Sequence, residues 1–397
     1  DREKGERGHR WPEILPGGKA ILFTTGTGGN WAEGRIGVLR LDTNERRILI
    51  EGGTGARYTP TGHLVYARPG SLLSVPFDLA RLQVTGPPVP ILEDLAVYSF
   101  TGAAHFSISR DGSLGYVSGG AIADRTLVWV DRQGTARPVT PARQAYAEPR
   151  TSPDGRHLSV AIEGVNDDVW VYEVARDTLS RFTFESGSDF AAVWTADSKR
   201  LAFRSVEAGR THLFWKLADG SAPAEKLLTS EYRIDPSSCS PDTKVLVYTE
   251  FHPNTGADIW VLPLEGGRKP RPFLVTPFNE WGAMFSPDGR WLAYTSNETG
   301  RDEVYVQPFP GPGGKWQIST EGGIEPLWAR NGRELFYRNG DKVMAVPIMI
   351  KPTIAAAKPQ LLFEGRYKRG ATLRPSYDVT PDAQRFERAS ASSARAS

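Results

Sequence analysis

Apolar residues along this chain come in short runs separated by polar turns, without the three-and-four spacing of amphipathic helices. The clearest example is Phe285-Ser286-Pro287-Asp288-Gly289-Arg290-Trp291-Leu292-Ala293-Tyr294. It predicts a strand, a tight turn and a second strand. Pro287 presets φ at the first corner, and the Ser286 and Asp288 side chains can bond nearby backbone. Gly289 supplies the left-handed conformation that closes the turn.

The phrase recurs along the chain. Its turn stands at Pro16-Gly17-Gly18, Pro60-Thr61-Gly62, Arg110-Asp111-Gly112, Pro153-Asp154-Gly155 and Ala196-Asp197-Ser198. It continues at Pro241-Asp242-Thr243, Pro287-Asp288-Gly289, Arg330-Asn331-Gly332 and Pro381-Asp382-Ala383. Successive turns are 44, 50, 43, 43, 45, 46, 43 and 51 residues apart. A period near ~45 residues is that of one four-stranded propeller blade. Each interval holds a third β-rich run, as at Ile36–Leu41, Leu127–Asp131, Ile259–Leu264 and Val304–Phe309, and then a weaker fourth. The predicted fold is therefore all-β, a β-propeller of four-stranded antiparallel blades. Repeat count gives eight blades and a partial ninth, with seven blades or an incompletely closed ring as alternatives. Residues 1–10 are expected to be a linker or the end of a preceding blade, and 11–388 the propeller. The low-complexity run 389–397 is expected to be a disordered tail.

Composition changes this picture little. With 39% apolar residues among 397, the chain can bury a core, and 41 Gly with 30 Pro suit a turn-rich protein. A net charge of +2 gives no bulk attraction to nucleic acid, and none is expected as a partner. The single cysteine, Cys239, excludes an internal disulfide framework. It falls in the column three residues before the turn, with Thr151, Trp194, Phe285, Trp328 and Val379. That column is expected to pack between blades, with Cys239 as a small buried hydrophobe. No run reaches the ~18 apolar residues of a membrane span. The start at Asp1, without a methionine or a signal-peptide core, is expected to be that of a mature product or a piece of a longer protein.

The phrase FSPDGRWLAYTSNETGRDEVYVQPFPG (285–311) resembles the TolB-like propeller repeat, also seen in the prolyl oligopeptidase and tricorn propellers. Five further segments resemble the C-terminal propeller region of large bacterial serine/threonine protein kinases. They are RWPEILPGGKAILFT (10–24), LVWVDRQG (127–134), SPDGRHLSVAI (152–162), EPLWARNGRELFY (325–337) and YDVTP (377–381). The resemblance implies a sensor or protein-binding region, tethered through an upstream span and lying outside the cytoplasmic membrane. A cytoplasmic location is the alternative. The kinase motifs themselves are missing: there is no glycine-rich loop with its lysine, no His-Arg-Asp and no Asp-Phe-Gly.

No catalytic constellation is legible. There is no Gly-x-Ser-x-Gly elbow, and the six histidines stand singly, without metal-ligand spacing. Asn166-Asp167-Asp168 lacks the calcium-loop pattern and reads as a repeated turn or cap, as do Asp258 and Asp302. Neither a metal nor a cofactor is expected. The candidate site lies where each first strand begins, six to eight residues before the turn, at one mouth of a central channel. Six residues before it stand Trp11, Gly55, His105, Glu148, Ala191, Pro236, Gly282 and Glu325, and Asp189, Asp235 and Glu280 lie one or two earlier. Glu148, Asp189, Asp235, Glu280 and Glu325 would form an acidic rim for a basic peptide, a cation or an amine. Trp281 would stack on the ligand or pack against a blade. The function expected is non-catalytic binding of a protein, peptide or small ligand. The alternatives are a polysaccharide lyase or hydrolase using His105 and Glu148, and a TolB-like periplasmic accessory protein.

Overall fold

The computed structural model describes residues 8–26, 31, 34–98, 102–109, 111–117, 125–163, 167–184, 187–207, 209–350, 353–365, 367 and 375–390. The expectations for residues 1–7, Arg110, Asn166 and 391–397 lie outside this set. The described residues are built from antiparallel sheets, most of them four-stranded. The chain divides into two compact units, 1–124 with 163–166 and 392–397, and 125–162 with 167–391.

In the first unit, Gly8–Ile14, Ala20–Gly26, Arg35–Arg40 and Arg46–Glu51 form one sheet in sequence order. Residues 8–10, expected as a linker or the end of a preceding blade, belong to its first strand. Thr54–Thr59, His63–Arg68 and Gly70–Asp78 begin a second sheet, completed by Gln83–Val84 and Val89–Leu95. Two small hairpins follow, Val97–Tyr98 with Ala103–Ala104 and Phe106–Ile108 with Leu114–Tyr116. One apolar cluster joins the two sheets through Leu22, Ile36, Leu64 and Tyr66.

The second unit contains six blades. Blade I is Tyr146–Thr151, His157–Ile162, Asp168–Glu173 and Thr178–Arg181. Blades II, III, IV and V open with Ser188–Trp194, Arg233–Cys239, Glu280–Phe285 and Ile324–Trp328. Blade VI is assembled from both ends of the unit. Tyr377–Val379 and Arg385–Ala389 supply its first two strands, and Arg125–Asp131 and Ala136–Gln144 its last two. Six apolar clusters fill the six interfaces between neighbouring blades, including Leu127 and Ala389 with Tyr146 and Leu158 between VI and I. The ring is closed.

The repeat count gives eight blades and a partial ninth, with seven blades or an incompletely closed ring as alternatives. The second unit by itself closes on six blades. The count also takes Leu127–Asp131 as third strand after the turn at Asp111. That strand instead pairs with Arg385–Ala389. A third strand carries no mark of which second strand it joins, and here closing the ring decides its partner. The C-terminal expectation is corrected as well. Ala389 is a strand residue and buried, and Ser390 bridges to Tyr367.

The turn chemistry is as the sequence predicts. Ser286 Oγ donates to Asp288 Oδ1 at 2.7 Å and accepts from Trp291 N at 3.0 Å, and Gly289 holds φ 72°. Ser152 and Asp154 repeat the arrangement in blade I. Ser198, Thr243 and Ala383 take the same left-handed conformation without being glycine.

Phe386 is fully buried in the closing strand, with its ring edge-on to Phe336 and Phe363 of blade V. Truncating such a ring leaves a cavity, so Phe386→Ala should lower stability by about 3–5 kcal/mol. Chemical denaturation checks this. A loss below about 1 kcal/mol would mean that the closing strand does not hold the second unit together.

Candidate functional site

The column six before the turn marks a feature not legible in sequence. The first strands of blades I, II, III, IV and V each slip register at this point, as between Ala147 and Arg150 or Ile324 and Leu327. Such a slip is a β-bulge, which bends a strand and increases its twist. Glu148, Ala191, Gly282 and Glu325 hold φ of 52°, 65°, 66° and 58° there. Blade III has Pro236 instead, whose ring forbids positive φ.

The carboxylates expected at the rim bind the protein's own groups. Glu148 Oε2 accepts from the backbone N–H of Ala191 in the next blade at 3.0 Å. Glu325 Oε2 does the same for Ser376, accepting from its N at 2.8 Å and its Oγ at 2.9 Å, with Arg338 3.6 Å away. In blade IV the equivalent N–H, of Gly282, donates to Thr249 Oγ1 at 3.2 Å. Asp235 is buried between Arg204 of blade II and Arg233, which reaches it at 2.6 Å. Glu280 accepts from Thr276 at 2.7 Å and Ser296 at 3.2 Å, and burial pushes its carboxyl up. Asp189 and Trp281 are buried. His105 belongs to the first unit, where it is exposed and its backbone bonds Ala96 and Val117. The structure thus places the expected acids of the second unit in blade-to-blade bonding and burial.

A cavity of about 410 Å³ opens instead at the turn end of the second unit's channel, with all six blades contributing. Its wall holds the residue three before the turn from every blade: Thr151, Trp194, Cys239, Phe285, Trp328 and Val379. Trp194 and Trp328 are fixed across blade boundaries by indole N–H bonds to the carbonyls of Arg150 and Met284, at 3.1 and 3.2 Å. Cys239, expected as a small buried hydrophobe between blades, is half-buried against the cluster between blades II and III. Burial pushes its thiol up to about 12, which leaves it a poor nucleophile.

The charged lining is Arg150, Arg330 and Asp378. Arg150 donates to the carbonyls of Pro149 and Pro375 at 2.6 and 2.8 Å. Asp378 accepts from the backbone N–H groups of Thr151 and Val379, both at 2.8 Å. Burial raises the carboxyl of Asp378, and burial beside Asp378 raises that of Glu387 well above the ordinary range. Sequence reasoning passed over these residues because Arg150 and Asp378 stand one position before the wall column. Their one available signal was charge in a column that otherwise reads Val193, Ser238, Met284 and Leu327. Among the described residues, no three His, Cys, Asp or Glu side chains gather as a metal site, and no helix is long and apolar enough to cross a membrane.

Comparisons agree with the architecture. No family model matches the chain. The uncharacterized protein Atu1656 of Agrobacterium fabrum is 23% identical over 303 residues, covering 72% of this chain and 96% of its own. A structure assigned as TolB from Agrobacterium tumefaciens superposes with a TM-score of 0.57 at 17% identity, over 67% of this chain and 98% of that one. TolB from Acinetobacter baumannii gives 0.47 at 13% identity, over 85% and 79%. The fold is that of a TolB-like β-propeller.

Two outcomes follow from the buried carboxylates. Asp235→Ala removes the carboxylate that pairs with buried Arg204 and should cost about 3–5 kcal/mol in a denaturant titration. An unchanged midpoint would return Asp235 to the role of a solvent-facing rim acid. Glu387 has a raised folded pKa, so the stability it contributes is present below the ordinary carboxylate range, near ~4. It is lost as pH rises through the folded value. Glu387→Gln should therefore melt above the parent at pH ~8 and converge with it toward pH ~4. A pH-independent difference would contradict this.

Proposed function

We propose that the second unit is a non-catalytic binding module that takes a segment of a peptide or protein into the cavity at the turn end of its channel. The observation that carries this reading is the wall itself, to which one residue at the same repeat position comes from each of six blades. The size suits a few ligand groups, and apolar walls with a few polar atoms are usual for such sites. Trp194, Trp328 and Phe285 line the cavity, and aromatic side chains held rigid in this way are the chemistry of binding hot spots. In a longer chain of the kinase type that the sequence resembles, this module would be the sensor region, displayed outside the cytoplasmic membrane.

The test is selection from a random peptide display library on the full chain. Enriched peptides should bind Trp328→Ala about 10–100-fold more weakly, the usual effect of removing an aromatic anchor. Thermal melts of the variant serve as the folding control. Peptides that bind parent and variant equally, or a library that yields no enrichment, would overturn the reading.

A further inference from the structure

We propose that the cavity recognises a carboxylate, held by Arg330 and Ser237, on a ligand whose apolar body lies against the tryptophans. This rests on the cavity being the binding site, as argued above, and specifies the chemistry of what enters.

Three observations carry it. Ser237 is 5% exposed, lines the cavity, and its hydroxyl has no hydrogen-bond partner. A buried hydroxyl without a partner is costly unless something else supplies one. Arg330 also lines the cavity. It donates one Nη to the carbonyl of Thr151 at 3.3 Å, and its buried Nε–H has no partner. The third observation is the balance of charge. The lining carries two guanidinium groups and one carboxylate, and both oxygens of that carboxylate, Asp378, already accept backbone bonds. Arg150 is committed to carbonyls. Among the lining residues the guanidinium groups therefore outnumber the carboxylates by one, and the unused donors are those of Arg330 and Ser237.

An acceptor-only anion satisfies both donors and the charge together. Carboxylate geometry matches a guanidinium edge, and such charge-assisted bonds are about twice as strong as neutral ones. A cation would meet Arg330 and find no unused carboxylate oxygen. A neutral amide could accept from the two donors but would bring no charge to match the extra guanidinium. The ligand class is therefore an apolar or aromatic carboxylic acid, including the carboxyl terminus of a peptide that ends in an apolar residue.

The experiment is calorimetric titration of the full chain with benzoylglycine and, separately, its primary amide. The two probes share a shape and differ in charge. We expect the acid to bind at least ~10-fold more tightly than the amide, an ion-pair-sized difference. Arg330→Gln should lose that preference and Arg330→Lys should restore part of it. Ser237→Ala should weaken the acid by roughly 3–10-fold. Equal binding of acid and amide, no binding of either, or an unchanged acid affinity in Arg330→Gln would each overturn the proposal. The cavity reading falls separately, on peptides that ignore Trp328. Selected peptides that need Trp328 yet bind alike as free acids and C-terminal amides would sink the carboxylate and leave the cavity standing.

Discussion

One strand pairing underlies the second unit. Arg385–Ala389 lies antiparallel to Arg125–Asp131, with five residue pairs in register from Leu127–Ala389 to Asp131–Arg385. Without it, each strand would present an unpaired row of backbone donors and acceptors, the liability that closed sheets remove. The pairing also completes two apolar interfaces. Phe386 and Val379 enter the cluster with blade V, while Ala389 and Leu127 enter the one with blade I. Every other blade of the unit is built from strands that follow one another in sequence. This one joins residues about two-thirds of the chain apart, and the cavity wall is complete only because of it.

Bonds across blade boundaries do the next share of the work. In the first strands of blades I to V a bulge turns backbone N–H groups away from the regular ladder. Blade VI has an N–H at the same repeat position just before its first strand. Side chains of the preceding blade accept them: Glu148 for Ala191, Thr249 for Gly282 and Glu325 for Ser376. The first unit uses the same device, with Thr24 accepting from Gly55 and Glu13 from Tyr58. A buried donor left unpaired costs about 1–3 kcal/mol, so acceptors are selected at these positions whatever the ligand. Glu148 and Glu325 stand there for that reason, so an acid in this column is poor evidence of an acidic binding surface.

The contrast with the turn end is physical. At the wall column, the side chains are apolar or neutral, and most pack between neighbouring blades while also lining the cavity. Arg330 and Ser237 keep donors that no protein group accepts. Unused donors at a cavity define chemistry, whereas the occupied acceptors at the bulges define architecture.

The recurring Ser-Pro-Asp-Gly turn determined by itself that this is a propeller, because its chemistry is local. Ser286, Asp288 and Gly289 form the turn through bonds within a few residues, and the ~45-residue spacing follows. The wall column was equally legible as a repeated position. Its expected packing between blades is found at Trp194, Phe285, Trp328 and Val379, each in a cluster shared by two blades. That it also lines a cavity was not legible. Tertiary structure decided the rest. Ring closure depends on whether Leu127–Asp131 meets Leu114–Tyr116 or Arg385–Ala389, and no local pattern distinguishes those edges. The side of the channel that stays open depends on which polar groups find partners across blade boundaries. That is a property of six blades in contact, and no single repeat carries it.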